Sequence, residues 1–375
     1  MKQLKLLFVI TSITFIVISC KQKETIEKPA HLKDVFKNDF YIGAALNEFQ
    51  FNEKDSTETA IIKNEFSSIT AENMMKSMHI HPQKDTFNFT EPDKFIDFGL
   101  KNNQFIVGHT LIWHSQLAPW IAEIKDSTEM AEFIKNHIQT IVGRYKGKVN
   151  SWDVVNEALN EDGTYRETVF YNALGEDYIA LAFNTVAETD PETELYYNDY
   201  NMADPAKREG AIKLIKSLQE KGVKIDGIGM QGHWGLNYPE LSEIDKSLTE
   251  YAKLGVKISI TELDITVLPN PWEIHGADVN MSFEANEKLN PYPTQLPDSI
   301  NDQLAERYKA IFKLFLKHKN NISRITFWGV HNKQSWLNNW PVKGRTNYPL
   351  LFDRQLKPKK AYHTIIELKQ SENEN

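Results

Sequence analysis

Residues 130–157 read MAEFIKNHIQTIVGRYKGKVNSWDVVNE, and this stretch contains the unit from which the fold can be predicted. Its first half carries apolar side chains at helical spacing, namely Met130, Phe133, Ile134, Ile138 and Ile141. Such spacing predicts an amphipathic helix with one buried face. Its second half, residues 151–156, is short and rich in β-branched and aromatic residues, which is typical of a strand. A helix that leads directly into a strand is the repeating unit of parallel α/β proteins.

The same unit recurs on both sides of this stretch. Eight strands are predicted, at Tyr41–Leu46, Ser67–Glu72, Phe105–Thr110, Ser151–Asn156, Glu194–Asn198, Asp226–Gln231, Lys257–Thr261 and Arg324–Trp328. Apolar residues at helical spacing between them predict further helices around residues 179–186, 211–218, 244–254 and 308–316. Gly222 and Gly255 follow two of these helices, at the position of a C-terminal cap.

Eight strand and helix units predict an α/β fold, a single (β/α)8 TIM barrel over residues 36–370 with a polar tail at 371–375. A doubly wound open sheet is less favoured, because no predicted strand leads into the Gly-x-Gly-x-x-Gly turn of a nucleotide site. The segment Leu268–Ile300 has no periodicity and follows the seventh strand. Segments of that length are usually functional. It is either a surface excursion packed on its own aromatic residues, or a platform for substrate at Trp272.

The composition argues against several kinds of partner. Hydrophobic residues make up 41% and charged residues 25%, as in soluble globular proteins. The 51 acidic residues outnumber the 43 basic ones and no basic patch stands out, so nucleic acid is not expected as a partner. The single cysteine argues against disulfides and cysteine-based zinc sites, and we expect neither a metal nor a cofactor. The 8 Trp, 14 Tyr and 20 Phe suit a site that stacks on sugar rings.

The N-terminus predicts export. Lys2 and Lys5 precede an apolar run, Leu6–Ile18, that is too short to span a membrane, so residues 1–19 are predicted to be a signal peptide. The end of this run, VISC at 17–20, resembles the bacterial lipobox, which implies a lipid on Cys20 and an exported lipoprotein of the cell envelope, periplasmic or on the cell surface. Residues 20–35 would then be the lipid-bearing cysteine and a polar tether, and the lipid the only contact with the membrane. An ordinary signal peptide followed by an unrelated cysteine is the alternative.

Two predicted strands lead directly into a glutamate. WDVVN is followed by Glu157, and ISIT is followed by Glu262. Active sites of barrels lie at the C-terminal ends of the strands, and the fourth and seventh strands face each other there. One glutamate at a strand end is usually only solvated, but retaining glycosidases need two carboxyl groups about 5 to 5.5 Å apart. The pair therefore predicts the hydrolysis of a glycosidic bond.

Seven motifs support a closer identification. They are TAENMMK (70–76), GHTLIWHSQ (108–116), WDVVNEA (152–158), YYNDYN (196–201), GIGMQGH (227–233), ITELD (260–264) and WGVHNKQSW (328–336). In this order they resemble glycoside hydrolase family 10, the retaining endo-β-1,4-xylanases, over about residues 36–368. The resemblance implies hydrolysis of internal β-1,4-xylosidic bonds, with xylan and xylo-oligosaccharides as the ligands. We expect the enzyme to act as a monomer.

The resemblance also assigns roles by matching motif. It implies that Glu157 is the acid/base and Glu262 the nucleophile. We expect apolar surroundings and the charge of Glu262 to raise the pKa of Glu157. His233 is implied to hydrogen-bond the nucleophile, with Asp264 fixing its ring. The implied contacts to sugar are Asn156 at the 2-hydroxyl, His109, Trp113 and Gln231 at the cleavage point, Trp328 and Trp336 over the non-reducing side, and Glu72, Asn73 and Lys76 at the next sugar.

The sequence departs from the family pattern in one of these motifs. Asn332 stands where an Asp is common, and His331 precedes it in place of a small residue, so the electrostatics near Trp328 are expected to differ. Two other functions stay open from the residues alone. One is a different retaining β-1,4-glycanase, such as a cellulase or a mannanase, and the other is a non-catalytic carbohydrate-binding relative.

Overall fold

In a computed structural model of the chain, the described residues are 30–271, 282–284 and 286–373. The predicted lipid-bearing Cys20 and the aromatic Trp272 lie outside these ranges. The described residues from His31 onward form one compact unit. Among the described residues, no helix has both the length and the apolar character of a membrane span.

The strands close into a parallel barrel. They are β1 (Tyr41–Leu46), β2 (Ser68–Ala71), β3 (Phe105–Trp113), β4 (Ser151–Asn156), β5 (Glu194–Asp199), β6 (Gly227–Met230), β7 (His233–Gly235), β8 (Lys257–Thr266) and β9 (Ile322–Phe327). Pairing runs from β1 through β6, passes to β8 and β9, and returns to β1, while the short β7 pairs with β8. The predicted (β/α)8 barrel is therefore confirmed.

Helices surround the barrel. They are α1 (Leu32–Val35), α2 (Glu48–Phe51), α3 (Ser56–Glu65), α4 (Ser77–Ile80), α5 (Thr90–Lys101), α6 (Pro119–Ala122), α7 (Ser127–Tyr145), α8 (Val169–Leu174), α9 (Asp177–Thr189), α10 (Pro205–Glu220), α11 (Leu241–Ala252), α12 (Asp298–Lys317) and α13 (Lys360–Asn373). The apolar face predicted from residues 130–157 is buried on α7. The other predicted helical stretches correspond to α9, α10, α11 and α12.

Two predicted helix ends are confirmed by backbone conformation. Gly222 follows α10 with a φ of 69°, and Gly255 follows α11 with a φ of 71°. No atom lies within 4 Å of a Cβ built at either residue, so space does not require glycine there. The left-handed conformation does, because a side chain makes it unfavourable.

Two strands are longer than the sequence predicts. β3 continues to Trp113 instead of ending at Thr110, and β8 continues to Thr266 instead of Thr261. In both cases the pairing shifts register near the expected end and then continues, which a repeating pattern of side chains does not reveal. As a result, Glu262 lies within β8 and not after it.

Packed residues extend slightly beyond the predicted bounds of the domain, 36–370. Packing begins before residue 36, because Leu32 of α1 is fully buried and its backbone N–H donates to Glu65 Oε2 at 2.9 Å. The predicted tether is therefore shorter at its C-terminal end. At the other end, α13 continues to Asn373, so most of the predicted tail at 371–375 is helical.

The described part of the segment Leu268–Ile300 packs against residues 341–348. The backbone N–H of Phe283 donates to Pro341 O at 2.9 Å, and the hydroxyl of Tyr348 donates to Tyr292 O at 2.8 Å. Arg345 Nη1 donates to Pro269 O at 3.0 Å, near the start of the segment. The described portion is therefore held to the barrel by specific hydrogen bonds.

Candidate active site

The predicted site residues converge on one cavity at the C-terminal ends of the strands. The cavity has a volume of about 500 Å³. Its walls include Glu72, Asn73, Lys76, His109, Trp113, Asn156, Glu157, Gln231, His233, Glu262, Trp328 and Trp336. Only Asp264 of the predicted set lies behind this wall, where it contacts His233. Parallel strands bring their C-terminal ends to one face, which is why residues far apart in sequence meet here.

Glu157 follows β4 in an uncommon backbone conformation. Its φ is 58°, in the left-handed region, which costs a residue other than glycine on the order of 1–3 kcal/mol. Its carboxyl group is held on both oxygens, because Trp113 Nε1 donates to Oε2 at 2.7 Å and Gln231 Nε2 donates to Oε1 at 3.0 Å. The side chain is therefore buried and fixed in direction.

The surroundings of Glu157 keep its proton bound. Burial is the largest cause that raises the pKa of Glu157, to about 7, and the charge of Asp199 adds to it. Glu262 also raises this pKa, but less than Asp199 does. Both predicted causes, burial and the charge of Glu262, are therefore present, and Asp199 is an additional cause that was not foreseen. Asp199 ends β5, next to the strand that carries Glu157.

Glu262 has the opposite environment. Burial alone would raise the pKa of Glu262, but hydrogen bonds from His233 and Asn198 help to lower it below its ordinary value. His233 Nε2 lies 3.1 Å from Oε2, and Asn198 Nδ2 donates to Oε1 at 2.9 Å. Donors to both oxygens stabilise the ionised carboxylate, which is the form that can act as a nucleophile.

His233 connects Glu262 to a second carboxylate. Its Nδ1 lies 3.0 Å from Asp264 Oδ1, so the ring is held from both sides. Burial alone would lower the pKa of His233, but Asp264 and Glu262 outweigh it and raise the pKa to about 10. His233 is therefore an imidazolium at neutral pH and donates to both carboxylates. The predicted positioning role of His233 agrees with this geometry.

A chain of amides joins the two glutamates. Asn198 Nδ2 lies 3.0 Å from the side-chain oxygen of Asn156, and Thr261 Oγ1 donates to Asn198 Oδ1 at 2.6 Å. The backbone N–H of Glu262 donates to Gln231 O at 2.6 Å. Asn198 was not among the predicted site residues, although it lies in the quoted motif YYNDYN at the end of β5.

The predicted cluster for the next sugar is assembled as a group. Lys76 Nζ donates to Asn73 Oδ1 at 3.0 Å and lies 5.0 Å from the ring centroid of Trp113 and 6.0 Å from that of Trp328. Burial lowers the pKa of Lys76, and burial raises the pKa of Glu72. These side chains are not an exposed charged stretch, because they belong to the wall of the cavity.

Two further contacts were not foreseen. His109 Nδ1 lies 2.9 Å from Asp153 Oδ2, which fixes the ring of His109 in the cavity. Trp340 stacks on Trp336 with ring centroids 4.6 Å apart. Trp340 lies just after the last of the seven motifs, and only packing shows that it supports Trp336.

The departures at residues 331 and 332 do not alter the cavity wall. Asn332 is fully buried, and its Oδ1 accepts the backbone N–H of Leu350 at 2.9 Å. His331 Nε2 lies 2.9 Å from Glu58 Oε1, outside the cavity. The two residues that were expected to change the electrostatics near Trp328 therefore make buried contacts and do not line the cavity.

A second cavity of about 450 Å³ adjoins the first. The two share His233, Trp336 and Trp340 as wall residues. The second continues past Tyr200 to Tyr238 and to residues 268–270, at the start of the long segment. The expected position of this segment at the rim of the cleft is thus supported for its first residues.

Neither cavity offers an obvious metal site. Within the part of the chain that the structure describes, no group of three or more His, Cys, Asp or Glu side chains is arranged to hold a metal ion.

One carboxyl group that keeps its proton near neutrality, beside another that is ionised, is what acid-assisted cleavage of a glycosidic bond requires, so the site fits a glycoside hydrolase. The model of glycosyl hydrolase family 10 matches residues 31–368. The chain belongs to this family.

Individual proteins agree with the family assignment. The chain is 41% identical over 342 residues to endo-1,4-β-xylanase A of Xylanibacter ruminicola, covering 90% of this chain and 93% of that protein. It is 43% identical to the structure of a GH10 endoxylanase from a sugarcane soil metagenome, with a TM-score of 0.87, covering 90% and 99%. Xylanase 10B of Thermotoga petrophila, solved with xylobiose, is 33% identical with a TM-score of 0.80, covering 92% and 98%.

Proposed function

We propose that the protein is an endo-1,4-β-xylanase that cleaves internal bonds of xylan with retention of configuration. The observation that carries the proposal is the pair Glu157 and Glu262, which line one cavity and have opposite shifts in pKa. Similar proteins named xylanases, and one of them solved with xylobiose, support the choice of substrate.

In the first step, the carboxylate of Glu262 attacks the anomeric carbon. The bond from this carbon to the glycosidic oxygen breaks, and Glu157 donates its proton to that oxygen. The product is a glycosyl ester on Glu262 and a free leaving chain. His233 and Asn198 orient the attacking carboxylate, because each contacts one of its oxygens.

In the second step, Glu157 acts as a base. It has lost its proton to the leaving chain, and the charge of Glu262 is neutralised in the ester. Glu157 therefore takes a proton from water, the oxygen of that water attacks the anomeric carbon, and the ester bond to Glu262 breaks. The sugar leaves with its original configuration and both carboxyl groups return to their starting forms.

The preference for xylose follows from the size of the pocket. Xylose lacks the hydroxymethyl group of glucose, so walls at Lys76, Gln231 and Trp336 would exclude the larger sugar. A cellulase or a mannanase is the alternative among enzymes, and a non-catalytic relative is the alternative outside them. The opposite pKa shifts of the two glutamates favour catalysis, because sugar binding alone does not require them.

The release of reducing sugar from xylan, cellulose and mannan, measured side by side, tests this function. We expect release mainly from xylan, and none from the E262A variant. Comparable release from cellulose or mannan would overturn the proposed substrate. No release from any polymer by the folded protein would favour the non-catalytic alternative.

We further infer that the protein is exported and held to the cell envelope by a lipid on Cys20. The charged and apolar start of the chain and the sequence VISC support this inference. Labelling cells with a radioactive fatty acid should mark the full chain and not the C20A variant. Equal labelling of both proteins would show that the lipid is not attached to Cys20.

A further inference from the structure

Asp199 is a buried carboxylate next to Glu157 that the mechanism above does not use. It ends β5 and is fully buried. Its side chain is surrounded by donors, because Oδ1 accepts the backbone N–H of Tyr200 at 2.9 Å and lies 2.9 Å from Lys207 Nζ, while Oδ2 accepts the hydroxyl of Tyr197. Donors on both oxygens favour the ionised form.

The backbone places this charge directly beside the acid. On the neighbouring strands, Asn156 pairs with Asn198, and the backbone N–H of Glu157 donates to Asn198 O at 2.9 Å. Gln231 completes the connection, since its backbone N–H donates to Asp199 O at 3.0 Å and its side chain donates to Glu157. Both side chains are buried, and a charge in a buried environment is less screened than one in water.

Lys207 of α10 is the counter-charge. It is fully buried, and its Nζ lies 3.6 Å from the ring centroid of Tyr200 and 3.7 Å from Glu161 Oε1. Burial raises the pKa of Asp199, and Lys207 is the foremost group that offsets this rise. The ammonium therefore helps Asp199 to stay ionised without solvent.

Other charged or titratable groups also face the pair. Those that act on Asp199 or Glu157 from neighbouring elements are Lys76, Arg166, Tyr178, Tyr200, Tyr251 and Glu262. Among the carboxylates, Asp199 contributes more than Glu262 to the raised pKa of Glu157. The charge of Glu262 disappears during the reaction when the ester forms, whereas Asp199 is not consumed.

We propose that Asp199, kept ionised by Lys207, is a positioning residue whose fixed negative charge holds the proton on Glu157 until the leaving oxygen takes it. The proposal rests on the proposed role of Glu157 as the acid. It gives a role to Lys207, which is fully buried and is not among the residues that line the cavity.

The test is the pH dependence of kcat/KM for xylo-oligosaccharides. In D199N the alkaline limb of the kcat/KM profile should move to lower pH by roughly 0.5 to 1 unit, because the negative charge that favours the protonated form of Glu157 is removed. The acidic limb should stay in place. K207R keeps the positive charge beside Asp199, so its alkaline limb should lie at the same pH as that of the unaltered enzyme. D190N is the control, because it removes a buried carboxylate outside the cavity and should not move the limb.

A second substrate separates charge from mere structure. A dinitrophenyl xylobioside has a leaving group that needs little protonation, so D199N should cleave it at an undiminished rate. Equal losses on both substrates at every pH, or an unmoved limb in D199N, would overturn the proposal. If D199N does not fold, K207M is measured instead. The alkaline limb of K207M should move to higher pH if Asp199 stays ionised and to lower pH if Asp199 takes up a proton. An alkaline limb that does not move would overturn the proposal.

The proposed function itself is checked separately with E157A. If azide does not restore turnover of the aryl glycoside by E157A, the role of Glu157 fails whatever D199N does. If azide restores turnover and the limb of D199N is unmoved, only the role of Asp199 fails.

Discussion

Trp336 Nε1 donates a hydrogen bond to Asp264 Oδ2 at 2.8 Å. The other oxygen of Asp264 contacts His233, which in turn contacts Glu262. A residue of the sugar-binding wall is therefore connected to the proposed nucleophile through one carboxylate and one imidazolium. A substitution at Trp336 should affect both substrate selection and the chemistry of Glu262.

W336A should weaken xylan binding and reduce the preference for xylan over cellulose, because it opens the wall that excludes the hydroxymethyl group. W336F keeps a ring but removes the N–H, so it should retain most of the preference and lose part of kcat. The measurement is kcat/KM on both polymers. An unchanged ratio of kcat/KM on xylan to kcat/KM on cellulose in W336A would show that Trp336 does not limit the size of the sugar that the pocket accepts.

E157A and E262A should both lose xylan hydrolysis but differ on an activated aryl glycoside. E157A should still form the ester rapidly and then stall, with azide restoring turnover, because such a leaving group needs little protonation. E262A should show no fast first step. Pre-steady-state release of the aryl group measures this, and a burst in E262A would reverse the two roles.

The sugar released at the anomeric carbon should initially be the β form. Two successive displacements at this carbon restore its configuration. Proton NMR during the first minutes of xylo-oligosaccharide hydrolysis distinguishes the anomers before they equilibrate. An initial α product would exclude the retaining mechanism.

Activity on xylan should have a bell-shaped pH profile. It should fall above about pH 7, because Glu157 has a pKa of about 7 and must carry a proton. On the acidic side it should fall only below the range in which an ordinary glutamate takes up a proton, because the pKa of Glu262 is lowered and this group must be ionised. The pH dependence of kcat/KM tests both limbs.

W113F sharpens this test. The indole N–H stabilises the ionised form of Glu157, so its removal should move the alkaline limb to higher pH. W120F is the matched control, because Trp120 Nε1 donates to His81 O outside the cavity and should leave the limb in place. A downward shift in W113F would contradict the assignment of this limb to Glu157.

Tyr238 should bind sugars at the far end of the second cavity. Its side chain is 47% exposed, and its hydroxyl donates to Asp204 at 3.0 Å, which holds the ring at the rim. Y238A should raise KM for long xylo-oligosaccharides several-fold and leave a short aryl xylobioside nearly unaffected, because a lost stacking contact is worth on the order of 1 kcal/mol.

Tyr41 supplies the control for this experiment. It is 46% exposed but begins β1, at the opposite end of the barrel. Y41A should change neither substrate. Equal losses on long and short substrates in Y238A would indicate a defect of the active site itself, and no loss would leave the second cavity without a role in binding.

Local patterns in the sequence are sufficient to predict the architecture. Helical and strand patterns are local, so the repeat around residues 130–157 predicts the barrel. Because active sites of barrels lie at the C-terminal ends of the strands, the same pattern places residues such as Glu157 and Glu262 at that end. Motifs also name side chains that the structure brings together there, among them Lys76 and Trp336. These inferences succeed because each depends on a short stretch and on a general property of parallel barrels.

The strand length, the side-chain partners and the pKa values at the site depend on tertiary structure. The extension of β8 depends on shifts of register with its neighbours, the partner of His331 is Glu58 on a distant helix, and the charge that acts most on Glu157 is that of Asp199. None of these is encoded in a local pattern, because burial, hydrogen bonding and electrostatic interaction depend on distances between side chains that only the closed barrel brings together.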